Sequence, residues 1–556
     1  MISIYCKNTQ TDRAFPEGTT LLEALPYFHF DQPYPIVSAK VNNVAEGLKY
    51  RAFKDVTVEF VNVCDSNGMR VYGLSLCFLL AKAVRDLFPD ARLYFEHPVS
   101  NGYYCNLRKP DMRWVTRDEI KRLVSRMKEL VADDHPYHRH EVHQGEAADL
   151  FASIGLLDKL KLVETCGEEY AYYYTLDDMP DYYYSRLLPS TRYLTVWGLE
   201  AYQEGMLLRL PDQKDPDRLA SFVDQPKTFA QFSEILHWNI IMGLNNAGDV
   251  NQAVIRGRAS ELIQVSEALQ EKKIVRIAEY IDRRFRSEQP CRVVLVTGPS
   301  GSGKTTFCRR LGIQLKACGL QPLSFSTDDY FVNRVDTPKL PDGSYDFDNF
   351  ETVDHCTLER DVISLLKGEE VEFPEYDFVT GRREYKGKRL QLKANTILVI
   401  EGIHALNPML LPKLSDKDKY KVFVSNLTSI SLDDHNWIPT GDVRLLRRVV
   451  RDASKGAFSA RETITQWPNV CSAEEKWITP FQEEADAMFN SSYLIEFAVL
   501  RNYATPILES VPKESAEYCE AHRLLHFMRY FVAVPDNEIP STSLLREFLG
   551  GSSFKV

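Results

Sequence analysis

At 556 residues the chain is too long for one ordinary core, and about three or four domains are expected. Its 44% hydrophobic and 26% charged content is that of a globular protein, with no run of about 18 apolar residues to span a membrane. The net charge of −11 argues against nucleic acid as a bulk partner, and eleven cysteines without a C-x-x-C fit a reducing compartment better than a disulfide framework.

No basic or apolar leader precedes the strand-like Ile2-Ser3-Ile4-Tyr5, so a cytoplasmic protein without a membrane partner is expected. Residues 1–64 alternate like a small sheet: Ile2, Ile4 and Cys6, then a helix over residues 21–25, then strands over 36–41 and 56–63 with Asn42-Asn43 as the turn between them. Strands flanking one helix suggest a β-grasp domain. Residues 65–205 predict an α+β domain, with helices over 74–87, 116–131 and 146–151 and a strand over 92–95. Thr116 and Glu119 stand at capping-box spacing. His135, His138, His140 and His143 crowd into nine residues, but no cysteine stands near, and an exposed strand after Pro136 accounts for them better than a metal site. The tyrosines at 170–174 and 182–184 read as packing and sheet surface.

Phe15-Pro16-Glu17-Gly18-Thr19-Thr20, Val41-Asn42, the run Leu79-Leu80-Ala81-Lys82-Ala83-Val84, Leu87-Phe88-Pro89-Asp90-Ala91, Gly102-Tyr103-Tyr104 and Pro189-Ser190-Thr191 resemble the N-terminal part of threonyl-tRNA synthetases. The resemblance implies a TGS (β-grasp) domain followed by an editing domain. That family carries H-x-x-x-H and C-x-x-x-H in its editing site. Here the four positions fall on Leu74, Phe78, Tyr183 and Leu187, none of which ligates zinc or activates water. The editing chemistry is therefore expected to be absent and this half to be a retained scaffold.

Residues 206–285 read as a helical connector packed on the following domain, with helical periodicity over 229–236 and 250–285 and a break at Asn245-Asn246-Ala247-Gly248-Asp249. The apolar residues Ile263, Leu269, Ile274, Ile277 and Ile281 mark the buried stripe.

From residue 286 the pattern turns βα. The β-branched run at 292–296 meets Gly298-Pro299-Ser300-Gly301-Ser302-Gly303-Lys304-Thr305-Thr306, and a helical pattern follows to Gly319. Strand, glycine loop and helix make a phosphate cradle of inward N–H groups and a positive helix end. Gly298, Ser300, Gly301, Ser302, Gly303, Lys304, Thr305 and Thr306 are its expected residues, with Lys304 reaching the β/γ-phosphates and the Thr305 hydroxyl binding Mg²⁺. A second strand, 322–326, ends at Asp328, where a general base or metal partner is useful. A third, 396–400, ends at Glu401 in a Walker B arrangement. Arg444, Arg447, Arg448 and Arg451 share one face of a helix over 442–452, which suits a polyphosphate.

In order, the glycine loop, Thr327-Asp328-Asp329-Tyr330-Phe331, Tyr345-Asp346-Phe347-Asp348, Pro374-Glu375-Tyr376-Asp377-Phe378, Val399-Ile400-Glu401-Gly402-Ile403 and Asp442-Val443-Arg444-Leu445-Leu446-Arg447-Arg448-Val449-Val450-Arg451-Asp452 resemble the uridine kinase family, which is related to phosphoribulokinase. The resemblance implies that Asp328 is the catalytic base, Asp348 holds the ribose hydroxyls, Tyr376 lies near the base, Glu401 joins Thr305 and Asp328 at magnesium, and Arg448 lines the substrate site. Lys304 and Arg448 count as catalytic, and Arg447 and Arg451 as phosphate ligands. Two positions depart: the histidine that reads the pyrimidine is Gly381, and the lid keeps only Lys455-Gly456, with Phe458 near the lid arginine's place and Arg461 as its substitute.

The expected architecture is multidomain: a β-grasp domain (1–64), an α+β editing-like domain (65–205), a helical connector (206–285), an α/β P-loop kinase domain with helices on both faces of a parallel sheet (286–505) and a C-terminal helical extension (506–556). The expected activity is transfer of the γ-phosphoryl of ATP, with Mg²⁺, to the 5′-hydroxyl of uridine or cytidine, by a homo-oligomer that does not engage nucleic acid. The alternatives are a related kinase for another small hydroxyl compound and a tRNA- or ribosome-associated nucleotide sensor.

Overall fold

Alternating burial of Ile2, Ile4 and Cys6 commits the N-terminus to a sheet with one face inward. The computed structural model, which describes every residue except Gln32, Asp342, Lys555 and Val556, shows β1 (Ile2–Cys6), β2 (Thr11–Phe15), β3 (Ile36–Val41), β4 (Val44–Gly47) and β5 (Val56–Asn62) in the order β2-β1-β5-β3-β4. Helix α1 (Leu21–Ala24) starts in a capping box between Thr20 and Glu23. Asn42 and Asn43, at φ 47° and 60°, form a two-residue hairpin turn. That turn joins β3 to β4, a strand the sequence reading did not separate, rather than leading to the strand at 56.

The next unit is built on α2 (Ser66–Leu87), which Asp65 caps eight residues before the expected start. Against it lie β6 (Arg92–Val99), β7 (Gly102–Arg108), the capping-box helix α3 (Arg117–Ala132), β8 (Tyr137–His143), α4 (Gln144–Ser153), α5 (Leu157–Thr165), β9 (Tyr170–Leu176) and β10 (Met179–Asp181). Strands β11 (Gly198–Tyr202) and β12 (Gly205–Arg209) complete the sheet β11-β12-β7-β6, so its pairing runs past residue 205. Leu74, Phe78, Tyr183 and Leu187 are all buried, and the Phe78 and Tyr183 rings lie 5.0 Å apart. Packed hydrocarbon fills the place of a metal site. The crowded histidines disperse: His135 meets Asp177, His140 meets Thr175 and His143 caps α4.

Three helices link the halves: α6 (Pro226–Met242), α7 (Ala247–Ile255) and α8 (Ala259–Phe285). The C-terminal half follows with β13 (Val293–Thr297), α9 (Lys304–Ala317), β14 (Gln321–Ser326), α10 (His355–Leu366), the hairpin β15 (Val371–Asp377) and β16 (Arg382–Leu390), β17 (Thr396–Glu401), β18 (Lys419–Ser425), α11 (Thr440–Ser454), α12 (Ala460–Trp477), β19 (Ala487–Asn490), α13 (Glu496–Glu509), α14 (Tyr518–Met528) and α15 (Arg546–Leu549). Its sheet is parallel throughout, in the order β14-β17-β13-β18-β19. Val293 and Leu295 pack toward Leu358, Val362 and Leu365 of α10. Val294 and Val296 pack toward Phe307 and Leu311 of α9 and Ile274, Ile277 and Ile281 of α8. Two covered faces explain why β13 is buried at every position and apolar from Val293 to Val296.

The halves share one core, whose buried side chains run from Val37 to Leu549. At its centre the segment between β18 and α11 enters the cleft of the second unit. Lys159, fully buried, lies 3.1 Å from Asp158 and 3.3 Å from both Asp181 and Asp433. Burial alone would lower the Lys159 pKa, but these carboxylates hold the ammonium well above its ordinary value. His435 meets Asp181 at 2.7 Å, and the Asn436 amide donates to the carbonyl of Tyr182 at 2.9 Å. The C-terminal extension is helical as expected at α14, and its end packs back on the molecule: Ser543, Leu544, Leu545 and Phe548 are fully buried. No helix among the described residues is long and apolar enough to cross a membrane.

Lys159→Met should leave three buried carboxylates without their cation and destabilise the protein by about 3–5 kcal/mol. Thermal unfolding will register this as a clear fall in Tm; an unchanged Tm would mean the cluster does not fasten the halves together.

Candidate active site

Register places the site. Strand β17 lies between β14 and β13, and Glu401 pairs across to Ser326 on one side and Val296 on the other. The chain leaving β14 reaches Asp328 in a 3₁₀ turn (Thr327–Tyr330), and the chain leaving β13 enters the glycine loop. Three carboxyl ends thus bring Asp328, Glu401 and the loop together at one edge. Gly301 and Gly303 adopt φ of 77° and 86°, and a Cβ on Gly298 would lie 2.0 Å from the Val424 carbonyl, so the glycines are required by backbone geometry.

Electrostatics concentrate here. Burial lowers the Lys304 pKa, against the opposing carboxylates of Glu401, Glu547, Asp328 and Glu474. Burial pushes Asp328 up to about 6, with Asp329 and Asp348 adding to it and Lys304 opposing. Burial likewise pushes Glu401 up to about 7, while Lys304 and a hydrogen bond from Thr305 pull the other way. Glu401 Oε2, Ser302 Oγ and Thr306 Oγ1 are buried without a hydrogen-bond partner. The buried Glu401 carboxyl and the Thr305 hydroxyl are oxygen donors that fit a divalent cation, and the Lys304 ammonium fits the phosphates it accompanies. Ser300, Asp348 and Glu474 line a small cavity next to the loop. Burial raises the Asp348 pKa, and the nearby Arg448 charge opposes that rise.

Other expected residues fall in different surroundings. Tyr376 belongs to an aromatic cluster, 5.5 Å from Phe331 and 5.1 Å from Phe378. Gly381 sits at φ 69°, and a Cβ there would come within 2.8 Å of the Arg334 side chain, so a histidine does not fit at that position. Arg461 turns to Glu517, 3.2 Å away, rather than toward the glycine loop.

The basic face of α11 is corrected by the structure. Arg447 is fully buried; its guanidinium is bound bidentate by Glu496 and also donates to Gly301 O at 3.1 Å and to Ser491. With its donors engaged it supports the loop from behind and does not face a phosphate. Arg444 is held by Glu474 at 2.6 and 2.7 Å, and Arg451 pairs with Asp452. Arg448, bound to Asp452 and Gln466, is the arginine of this face whose charge reaches Asp348.

Three site residues escaped the sequence reading. Glu474 Oε1 accepts the Ser300 N–H at 3.0 Å, and Glu547 accepts the Thr306 N–H at 3.0 Å. His404, pushed down to about 4 by burial, stands neutral beneath Phe350, with ring centroids 5.5 Å apart. His404 follows Glu401 closely in sequence and was open to notice; the two glutamates carry no local signal.

Fold and site together define a P-loop kinase domain. Residues 293–494 match the model of the Phosphoribulokinase / Uridine kinase family. A uridine kinase of Ligilactobacillus salivarius is 29% identical over 195 residues, 35% of this chain and 82% of that protein. The threonine–tRNA ligase of Symbiobacterium thermophilum is 31% identical over 200 residues, 35% of this chain, and this match spans only 30% of the ligase. A solved structure described as a possible uridine kinase from Bacillus stearothermophilus covers 39% of this chain and 98% of its own at 18% identity, with a TM-score of 0.28.

Arg447→Ala should leave Glu496 buried without its partner and lower stability by about 3–5 kcal/mol. Calorimetry will show this as a lowered Tm. A variant with normal Tm and lost nucleotide binding would return Arg447 to the phosphate site.

Proposed function

We propose that the chain is an ATP-dependent kinase for the 5′-hydroxyl of a nucleoside, with uridine or cytidine as the first acceptors. The observation that carries this reading is the meeting of Asp328, Glu401 and Lys304 at the carboxyl ends of adjacent parallel strands, beside a glycine loop that opens α9. The loop amides and Lys304 hold the β- and γ-phosphates of ATP. Thr305 and Glu401 hold magnesium, which supplies charge neutralisation on the phosphates when bound. Asp328 takes the proton from the acceptor hydroxyl as its oxygen bonds to the γ-phosphorus. The bond to the β,γ-bridging oxygen breaks, and ADP leaves. Asp348, balanced by Arg448, faces the same cleft and suits a pair of ribose hydroxyls. The likeness to the uridine kinase over most of that protein's length supports the assignment.

One observation favours a second reading, a kinase of the same kind acting on another small hydroxyl compound. Arg334 closes over Gly381, where the resemblance implies a pyrimidine-reading histidine, and so offers a cation in place of an imidazole. The matched synthetase domains act in this reading as a scaffold without editing chemistry, because hydrocarbon fills the metal positions.

ADP release with Mg²⁺-ATP and a panel of nucleosides and small polyols separates the readings, with Lys304→Ala as blank. Turnover on uridine or cytidine supports the first; turnover only on another acceptor supports the second. Asp328→Asn should lose about 10²–10⁴-fold in turnover. Because Asp328 is held up at about 6, its carboxylate forms as pH rises through that value, so kcat/KM should climb across pH 6 and level off above it. Full turnover by Asp328→Asn, or a flat profile from pH 5 to 8, would remove it from the base role.

A further inference from the structure

Residues 544–548 lie on the glycine loop, touching the loop and the first turn of its helix at two places and the arginine behind the loop at a third. Leu544, fully buried, abuts Gly303, where an added Cβ would come within 2.9 Å of its side chain. The Phe548 ring covers the Arg447 guanidinium at 4.8 Å, and Arg447 in turn donates to Gly301 O. The Glu547 carboxylate accepts the N–H of Thr306 at 3.0 Å. The segment is anchored independently of these contacts: Val534 N donates to Ala498 O at 3.0 Å, and Arg546 binds Asp536 at 2.5 Å and Ile539 O at 2.9 Å.

Thr306 stands in the first turn of α9, where the backbone N–H groups lack an acceptor within the helix and the dipole favours an anion. In the proposed kinase these N–H groups belong to the phosphates of ATP. A carboxylate of the protein's own C-terminal segment now takes that place. It also adds a negative charge close to Lys304, the residue that would grip the β- and γ-phosphates. The two glutamates in the cradle differ in how they are held. Arg444 clamps Glu474 at both oxygens, whereas Glu547 forms no salt bridge among the described residues. A segment whose acid is held to the cradle by one charge-assisted hydrogen bond can release it without breaking a salt bridge, and its release loosens the short helix that carries it.

We propose that the C-terminal segment is an autoinhibitory element in which Glu547 imitates a phosphate oxygen on Thr306 and must swing out before ATP seats in the loop. This rests on the kinase reading, since it assigns the occupied place to ATP. The bond it breaks is a hydrogen bond to a charged group, so its removal should tighten nucleotide binding about tenfold.

The test uses the full-length protein and two readouts. Titration with a fluorescent ATP analogue and Mg²⁺ compares wild type, Glu547→Ala and Glu547→Gln, with Lys304→Ala as control. Both Glu547 variants should bind about tenfold more tightly. The glutamine variant keeps the side chain's shape and carries the test should the alanine variant unfold. Hydrogen exchange of residues 540–549 in the wild type should rise on adding Mg²⁺-ATP, because displacement loosens that segment, a response that mere removal of a repulsive charge does not predict. Unchanged affinity in a folded Glu547 variant, or exchange that falls with ATP, overturns the inference while leaving the kinase reading intact. Failure of every protein, wild type included, to bind nucleotide overturns the kinase reading and this inference with it.

Discussion

A single ammonium group, that of Lys304, faces the carboxylates of Glu401, Glu547, Asp328 and Glu474. The rest of the catalytic half is arranged around this imbalance. Burial pushes Asp328 up to about 6 and Glu401 up to about 7, neighbouring carboxylates add to the rise and Lys304 opposes it. A cleft with these acids disfavours a polyphosphate while the glycine loop favours one. A divalent cation held by Thr305 and Glu401 would offset part of that repulsion, and release of Glu547 would offset more. In the proposed kinase, metal, nucleotide and the segment bearing Glu547 would thus be linked through one shared field rather than through separate pockets.

The arginines of α11 obey the same constraint from the other side. Arg444 neutralises Glu474 and Arg448 acts on Asp348, whereas Arg447 is tied to Glu496 behind the loop, so Asp328 and Glu401 are left to Lys304. Buried pairs of this kind contribute little net stability, but they fix geometry, because breaking either partner strands a charge. Arg447 carries the loop carbonyl of Gly301 on the same fork that binds Glu496. The glycine loop, flexible by composition, is held rigid by a charge pair beneath it.

Much of the catalytic half was legible because its signals are local. An apolar run from Val293 to Val296, a run of glycines and a helix stop at Gly319 specify strand, loop and helix without help from distant residues, and the acids after β14 and β17 follow from strand ends alone. The four arginines show where such reading stops. Spacing of three and four residues says that side chains share a face; it does not say whether that face meets solvent or another glutamate. The partner of Arg447 lies 49 residues away, and that of Thr306 lies 241 residues away. Glu547 stands in a four-residue helix near the chain's end with no motif around it, so only the folded core reveals what it touches. The N-terminal half shows the same limit: nothing local in the sequence announces that Asp433, His435 and Asn436 pair with Lys159, Asp181 and Tyr182.

The segment between β18 and α11 also ties the second unit to the P-loop half. The strand that supports Gly298 leads, through the segment bearing Asp433, His435 and Asn436, directly into α11. Lys159 and Asp181 hold this segment, and Arg523 holds Asp442 at the start of α11 at 2.7 and 2.8 Å. The arginine helix is thus fixed at its entrance by the second unit and by α14, and at its middle by α13. Cutting away the N-terminal half would expose a core that runs continuously through both halves and free the segment that aims Arg448 at Asp348. The second unit therefore forms part of the wall that positions the P-loop half.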